Sequence, residues 1–137
     1  MESQPNFEPI LNASLPSQFR KIHIELAREP DHPDGDSSAS YVILAALDSD
    51  SHIDSKLWRE YRDAFRVTRL RPNEPDSHGH LVRGPGGRWF LRYDDAADLS
   101  DETGIHFADE RFMVGEYVSI GAGDRVHTYR VTSISSL

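Results

Sequence analysis

The stretch "GEYVSIGAGDRVHTYRVTSI", Gly115 to Ile134, decides the fold. Val118 and Ile120 flank Ser119 on one side of "GAGD", and Tyr129 and Val131 alternate with Thr128 and Arg130 on the other. Side chains of a strand point to opposite faces in turn, so this period of two marks two half-buried strands. The glycines and Asp124 between them supply a tight turn, which makes the pair an antiparallel hairpin.

Working outward from the hairpin, the same sidedness recurs. In "FRKIHIELAR", Ile22, Ile24 and Leu26 alternate with Lys21, His23 and Glu25. "YVILAALD" is apolar on both parities, the mark of a strand covered on both sides. "FRVTRL", "HLVR" and "RWFLRYD" follow, separated by "RPNEPDSHG" and by the turn "GPGG". The acidic run "DDAADLSDETG" reads as a loop leading into a short strand at "IHF", and "EPDHPDGDSS" as another loop. Seven or eight short strands at this spacing predict a mainly β domain, a small antiparallel β-barrel or curved meander sheet. Pro5, Pro9 and Pro16 interrupt residues 1–17, which read as a flexible arm before a single domain at 18–137.

One helix interrupts the strands. In "DSDSHIDSKLWREYRDAF", Leu57, Trp58, Tyr61, Ala64 and Phe65 form one apolar stripe, predicting a helix over about 55–65 that closes one face or end. The oxygen-rich start resembles a calcium loop in spacing only. Counting from Asp48, the sixth position holds Ile53 where such a loop needs glycine, and the twelfth holds Arg59 where it needs glutamate. A helix start uses the same residues better: Asp54 caps the first-turn amides, and Ile53 and Trp58 occupy the hydrophobic-staple positions.

Composition narrows the function classes. The 137 residues contain no Cys, which removes disulfides, thiol nucleophiles and thiolate-bound metals. There is no signal-peptide pattern, and no apolar run approaches the roughly 20 residues that span a bilayer, so a soluble cytoplasmic protein is expected. A net charge of −8 disfavours nucleic acid and anionic membranes as partners. The charge is uneven: Lys56 to Arg92 holds nine basic and four acidic residues, whereas Glu29 to Asp54 and Asp94 to Glu110 each hold seven acids and no Lys or Arg. No nucleophile elbow, phosphate loop or dinucleotide loop is present, and the carboxylates read as solvated loop residues, so no catalytic residue is nominated.

Two constellations remain. Trp89, Leu91 and Tyr93 share one strand face as a core row, which leaves Arg88, Phe90 and Arg92 on the other. With Arg69 nearby in sequence, an aromatic between two arginines is a candidate grip for a protein or small anionic ligand. The competing expectation puts Phe90 beneath the helix with the arginine stems covering apolar surface. The second constellation is histidine. His78 and His80 in "HGH" would share a strand face, and His127 could add a third nitrogen to a metal site. "PNEPDS" immediately upstream suggests instead that His78 still lies in a turn.

Three resemblances accompany these readings. "HGH" together with "GAGDRVH" resembles the cupin family, a barrel whose first motif carries His-x-His and whose second ends in His, which implies a metal on His78, His80 and His127. The chain departs from that pattern where Leu81, Val82, Arg83 and Gly84 stand in place of a ligating Glu, and the Pro before the second motif's glycine is absent. "GHLVRGPGGRWFLRYD" and "FMVGEYVSIGAGDRVHTYRVTSI" are similar to segments of short bacterial, proteobacterial conserved proteins of unknown function, a likeness that transfers no site. The closing hairpin looks like that of small SH3-like or PUA-like barrels, which implies nucleic-acid binding. The leading expectation is a non-enzymatic binding module without a cofactor, for a protein or small anionic ligand, with a cupin-like metalloprotein and a PUA-like or SH3-like barrel as alternatives.

Overall fold

A computed structural model describes residues 14–96 and 99–137. Eight antiparallel strands follow one another around a closed barrel: β1 (Phe19–Leu26), β2 (Asp36–Ala46), β3 (Arg66–Leu70), β4 (Ser77–Arg83), β5 (Trp89–Tyr93), β6 (Glu102–Ile105), β7 (Tyr117–Ala122) and β8 (Arg125–Ser136). β8 returns to β1, with Ile22 opposite Ile134 and Ile24 opposite Val131 across a bulge at His23. Sequence neighbours are therefore spatial neighbours throughout. A cupin jelly roll is instead built from two Greek keys, so its fold does not carry over.

The deciding hairpin stands as read. Ala122 pairs with Arg125, and Gly123 takes a φ of +63° at the first central turn position, a backbone state glycine reaches without strain. Period-two sidedness also holds: Ile22, Ile24, Ile43, Leu81, Trp89, Leu91, Val118, Ile120 and Val131 all lie in one buried core. "GPGG" turns β4 into β5 through a short 3-10 turn, Pro85–Gly87, with the Gly84 amide donating to the Arg88 carbonyl at 2.8 Å. Of the arm read at 1–17, residues 1–13 lie outside the described residues, and Leu15 packs against the core.

Three boundaries differ from the sequence reading. The helix α1 spans only Ser55–Glu60; Tyr61 breaks it, and Arg62–Ala64 continues as a 3-10 turn. The reason is packing, since Ala64 and Phe65 are wholly buried and the chain must unwind to seat them before β3 begins at Arg66. β4 starts at Ser77, so His78 is in a strand and not in a turn. β6 starts at Glu102, inside the run read as an acidic loop, and His106, with a φ of +57°, follows its last residue in place of an "IHF" strand.

The helix start is built as the capping residues require. Asp54 Oδ1 accepts from the amides of Lys56 and Leu57 at 3.0 and 3.1 Å, and the staple pair Ile53 and Trp58 is buried. The Trp58 indole donates to the Leu81 carbonyl at 3.0 Å and meets Trp89 edge-on, ring centroids 5.5 Å apart. Phe19 and Phe65 pack at 5.1 Å, and Phe107 and Phe112 at 5.2 Å. One end of the barrel, where α1 and the β6–β7 loop lie, is thus sealed by rings. No helix among the described residues is long and apolar enough to cross a membrane.

Candidate functional site

The opposite end is built from the same inner rows, but their composition changes. On β3 the inward parity runs Val67, Arg69 and then Arg71 just beyond the strand, so an apolar row becomes cationic within two steps. β2 contributes Tyr41, β5 Tyr93, β8 Tyr129 and β6 the carboxylate of Glu102. Glu102 is only 2% exposed.

An ionised carboxylate tolerates that burial only when its lone pairs are taken by donors. Tyr41 and Tyr93 donate to Glu102 Oε1 at 2.9 and 2.5 Å. Arg69 Nε stands 3.3 Å from Oε2, close enough for charge pairing but at an angle that leaves its N–H without a hydrogen-bond acceptor. Arg69 also reaches Glu74 at the rim, at 3.4 Å. Burial opposes the charge on Arg69, yet Glu102, Tyr41, Tyr93 and Glu74 outweigh it and hold the guanidinium above its ordinary pKa. Burial, reinforced by Glu102, pushes the phenols of Tyr41 and Tyr93 above their usual value, and burial does the same for Tyr129.

Arg71 is held differently. Its Nη2 donates to the hydroxyls of Tyr41 and Tyr129 at 3.0 and 2.9 Å, Nη1 donates to the Leu70 carbonyl at 2.9 Å, and the guanidinium lies 4.9 Å from the centre of the Tyr41 ring. All of these partners are neutral. Among the described residues no carboxylate lies within ion-pair distance of Arg71.

Around this network the mouth encloses a recess of about 350 Å³. Leu26, Ala39, Ile120 and Ala122 give it an apolar wall, while Glu29, His32, Asp36, Arg125 and His127 stand toward the rim. The β1–β2 connection is strapped over one side, with Glu29 bonded to His127 Nδ1 at 3.0 Å and paired through its backbone with His32.

Of the residues singled out in the sequence, only Arg69 belongs to this recess among the four proposed for ligand binding. Phe90 and Arg92 lie on the outer row of β5, Arg88 just precedes that strand, and none of the three joins the recess: Arg92 is clamped to Asp101 at 2.8 Å, and Arg88 sits over the Phe90 ring at 5.6 Å. The competing expectation for Phe90 also needs correction. Phe90 packs against Gly84 on the barrel's side, and the helix instead seats Trp58 on Trp89 at the sealed end, because the inner row alone offers it apolar surface there.

The histidines are dispersed. His78 and His80 project from β4 onto Asp95 and Asp94, at 2.7 and 2.6 Å, whereas His127 lines the mouth on β8, four strands away around a ring of eight. The glycine of "HGH" has its own structural cause, since a Cβ at Gly79 would stand 1.9 Å from the Arg92 carbonyl oxygen. Asp48, Asp50 and His52 do place ligand atoms within 4.8 Å of one another, yet Asp48 Oδ1 is occupied by the amides of Asp50 and His52, at 2.9 and 3.0 Å. That is a turn ahead of the helix.

Sequence reasoning passed over Glu102, Arg71, Tyr41 and Tyr129. The parity of Val67, Arg69 and Arg71 was a usable signal, because two cations continue an inward row. Glu102 had none: it stands among solvated acids, and only the register of β6 against β5, with Leu91 opposite Glu102, turns it inward. No protein-family model, curated protein or solved structure matches the chain, so geometry alone carries the functional reading.

Proposed function

We propose that this barrel is a soluble, cytoplasmic, non-enzymatic binding module whose open end holds a small anionic ligand on Arg71. The observation that carries the reading is the state of that guanidinium: fixed by two tyrosine hydroxyls and a carbonyl, lying over a ring and, among the described residues, within ion-pair distance of no carboxylate. A cation already held in place loses little freedom when an anion arrives, so its charge goes into binding. The recess has the size of a small-molecule site, roughly 300 to 1,000 Å³, and eight strands leave room for one small ligand at a barrel mouth. Absence of Cys and the charged outer rows, with Lys21, Glu25, Arg66 and Arg92, support a reducing, aqueous setting. The dispersed histidines lend no support to one metal centre.

The test is a thermal-shift and calorimetric survey of small organic anions at low salt. Arg71→Gln should abolish the stabilisation by whichever anion binds, while Arg88→Ala with Arg92→Ala should leave it intact. The reverse pattern would move the site to the outer face of β5 and overturn the proposal.

A further inference from the structure

We infer that the ligand of this mouth is a monoanionic carboxylate carrying a small apolar body, and not a phosphate ester. The inference rests on the barrel mouth being the binding site, and it follows from how charge and apolar surface are shared there. The lining carries three arginines, Arg69, Arg71 and Arg125, against four carboxylates, Glu29, Asp36, Glu74 and Glu102. Arg69 is already committed to Glu102 and Glu74. Arg125 is exposed, which leaves Arg71 as the one arginine held within the recess by neutral groups, and a lining with one carboxylate more than its arginines repels a second ligand charge.

Head-group geometry agrees. Arg71 Nη2 donates to the Tyr41 and Tyr129 hydroxyls at 3.0 and 2.9 Å, so a guanidinium and two hydroxyls stand together at the recess, groups of the kind that pair with the two oxygens of a carboxylate. One wall of the recess suits an apolar body: Leu26, Ala39 and Ile120 are buried behind its surface, and with Ala122 they present carbon to whatever the head group carries. At about 350 Å³ the space suits one ring or a short branched chain.

Calorimetry and chemical-shift perturbation on the full chain at about pH 8, where a phosphate monoester is dianionic, separate the possibilities with three probes: benzoate, phenyl phosphate and acetate. Benzoate should bind on the order of tenfold or more tighter than phenyl phosphate, which shares its body, and tighter than acetate, which shares its head group. Arg71→Gln should remove benzoate binding while the amide spectrum of the β1–β8 seam stays folded. Phenyl phosphate binding as tightly as benzoate, and lost in Arg71→Gln, overturns the monocarboxylate inference while the anion-binding mouth survives. Acetate matching benzoate overturns the apolar body. Perturbations absent with all three probes at millimolar concentration overturn the inference and the binding reading together.

Discussion

The two ends of the barrel are made from the same strands and do opposite things. At one, Phe19, Trp58, Phe65, Trp89, Phe107 and Phe112 interlock edge to face and exclude water. At the other, the continuing inner rows of β2, β3, β5, β6 and β8 end in Tyr41, Arg69, Tyr93, Glu102 and Tyr129, a buried polar network around an open recess. Ring packing gains free energy through burial and contact. A buried ion pair rarely does, because the desolvation of both charges consumes the attraction between them. The sealed end accordingly stabilises the fold, and the open end spends part of that stability on holding charges in fixed positions.

That contrast can be broken most directly at Trp89. Trp89→Ala should cost about 4 kcal/mol in chemical denaturation, since the site is enclosed by Trp58 and cannot collapse. Glu102→Ala should cost somewhat less, about 3 kcal/mol, by leaving the half-buried Arg69 with Glu74 at the rim as its one remaining counter-charge and two tyrosine protons without an acceptor. The double replacement Arg69→Met with Glu102→Leu should recover most of that loss. Should the double variant prove as unstable as Glu102→Ala, the mouth would be a stabilising element and the contrast between the ends would fall.

A pH scan sharpens the comparison with the smallest effect. Tyr41, Tyr93 and Tyr129 have folded-state pKa values above the ordinary 10.0, so folding favours their neutral form. Their contribution to stability is complete below pH 10.0 and declines as pH rises beyond it, when the unfolded chain ionises first. The melting temperature should fall above that point, and Tyr41→Phe should reduce the slope of the fall. An identical alkaline slope in Tyr41→Phe would mean that the mouth tyrosines do not govern the loss.

Much of the fold was legible because barrel walls are two-sided objects and the chain alternates accordingly, from Ile22 and Ile24 to Tyr129 and Val131. The helix start was legible too, because Asp54 capping and the Ile53–Trp58 staple are local. Its end was not, since Tyr61 yields to the burial of Ala64 and Phe65, a tertiary demand. The site was legible at Arg69 alone. Its other members come from β2, β5, β6 and β8 and from the residue after β3: Tyr41, Tyr93 and Tyr129 read as strand residues of the barrel wall, and charge makes Arg71 and Glu102 look exposed when read singly. Glu102 is indistinguishable in sequence from Asp94 or Asp101, and becomes a buried acceptor only when β5 and β6 fix its direction.

Closure of the ring sets a condition on when the mouth can exist. Tyr129, one of the two hydroxyls that steady Arg71, stands on β8, and β8 completes the ring only by pairing with β1 across a sequence separation of 109 residues, as between His23 and Thr132. Contacts so distant form late and cooperatively. A chain still lacking its final hairpin therefore presents Arg71 without its second brace, and the anion capture proposed for the mouth would then be a readout of finished folding.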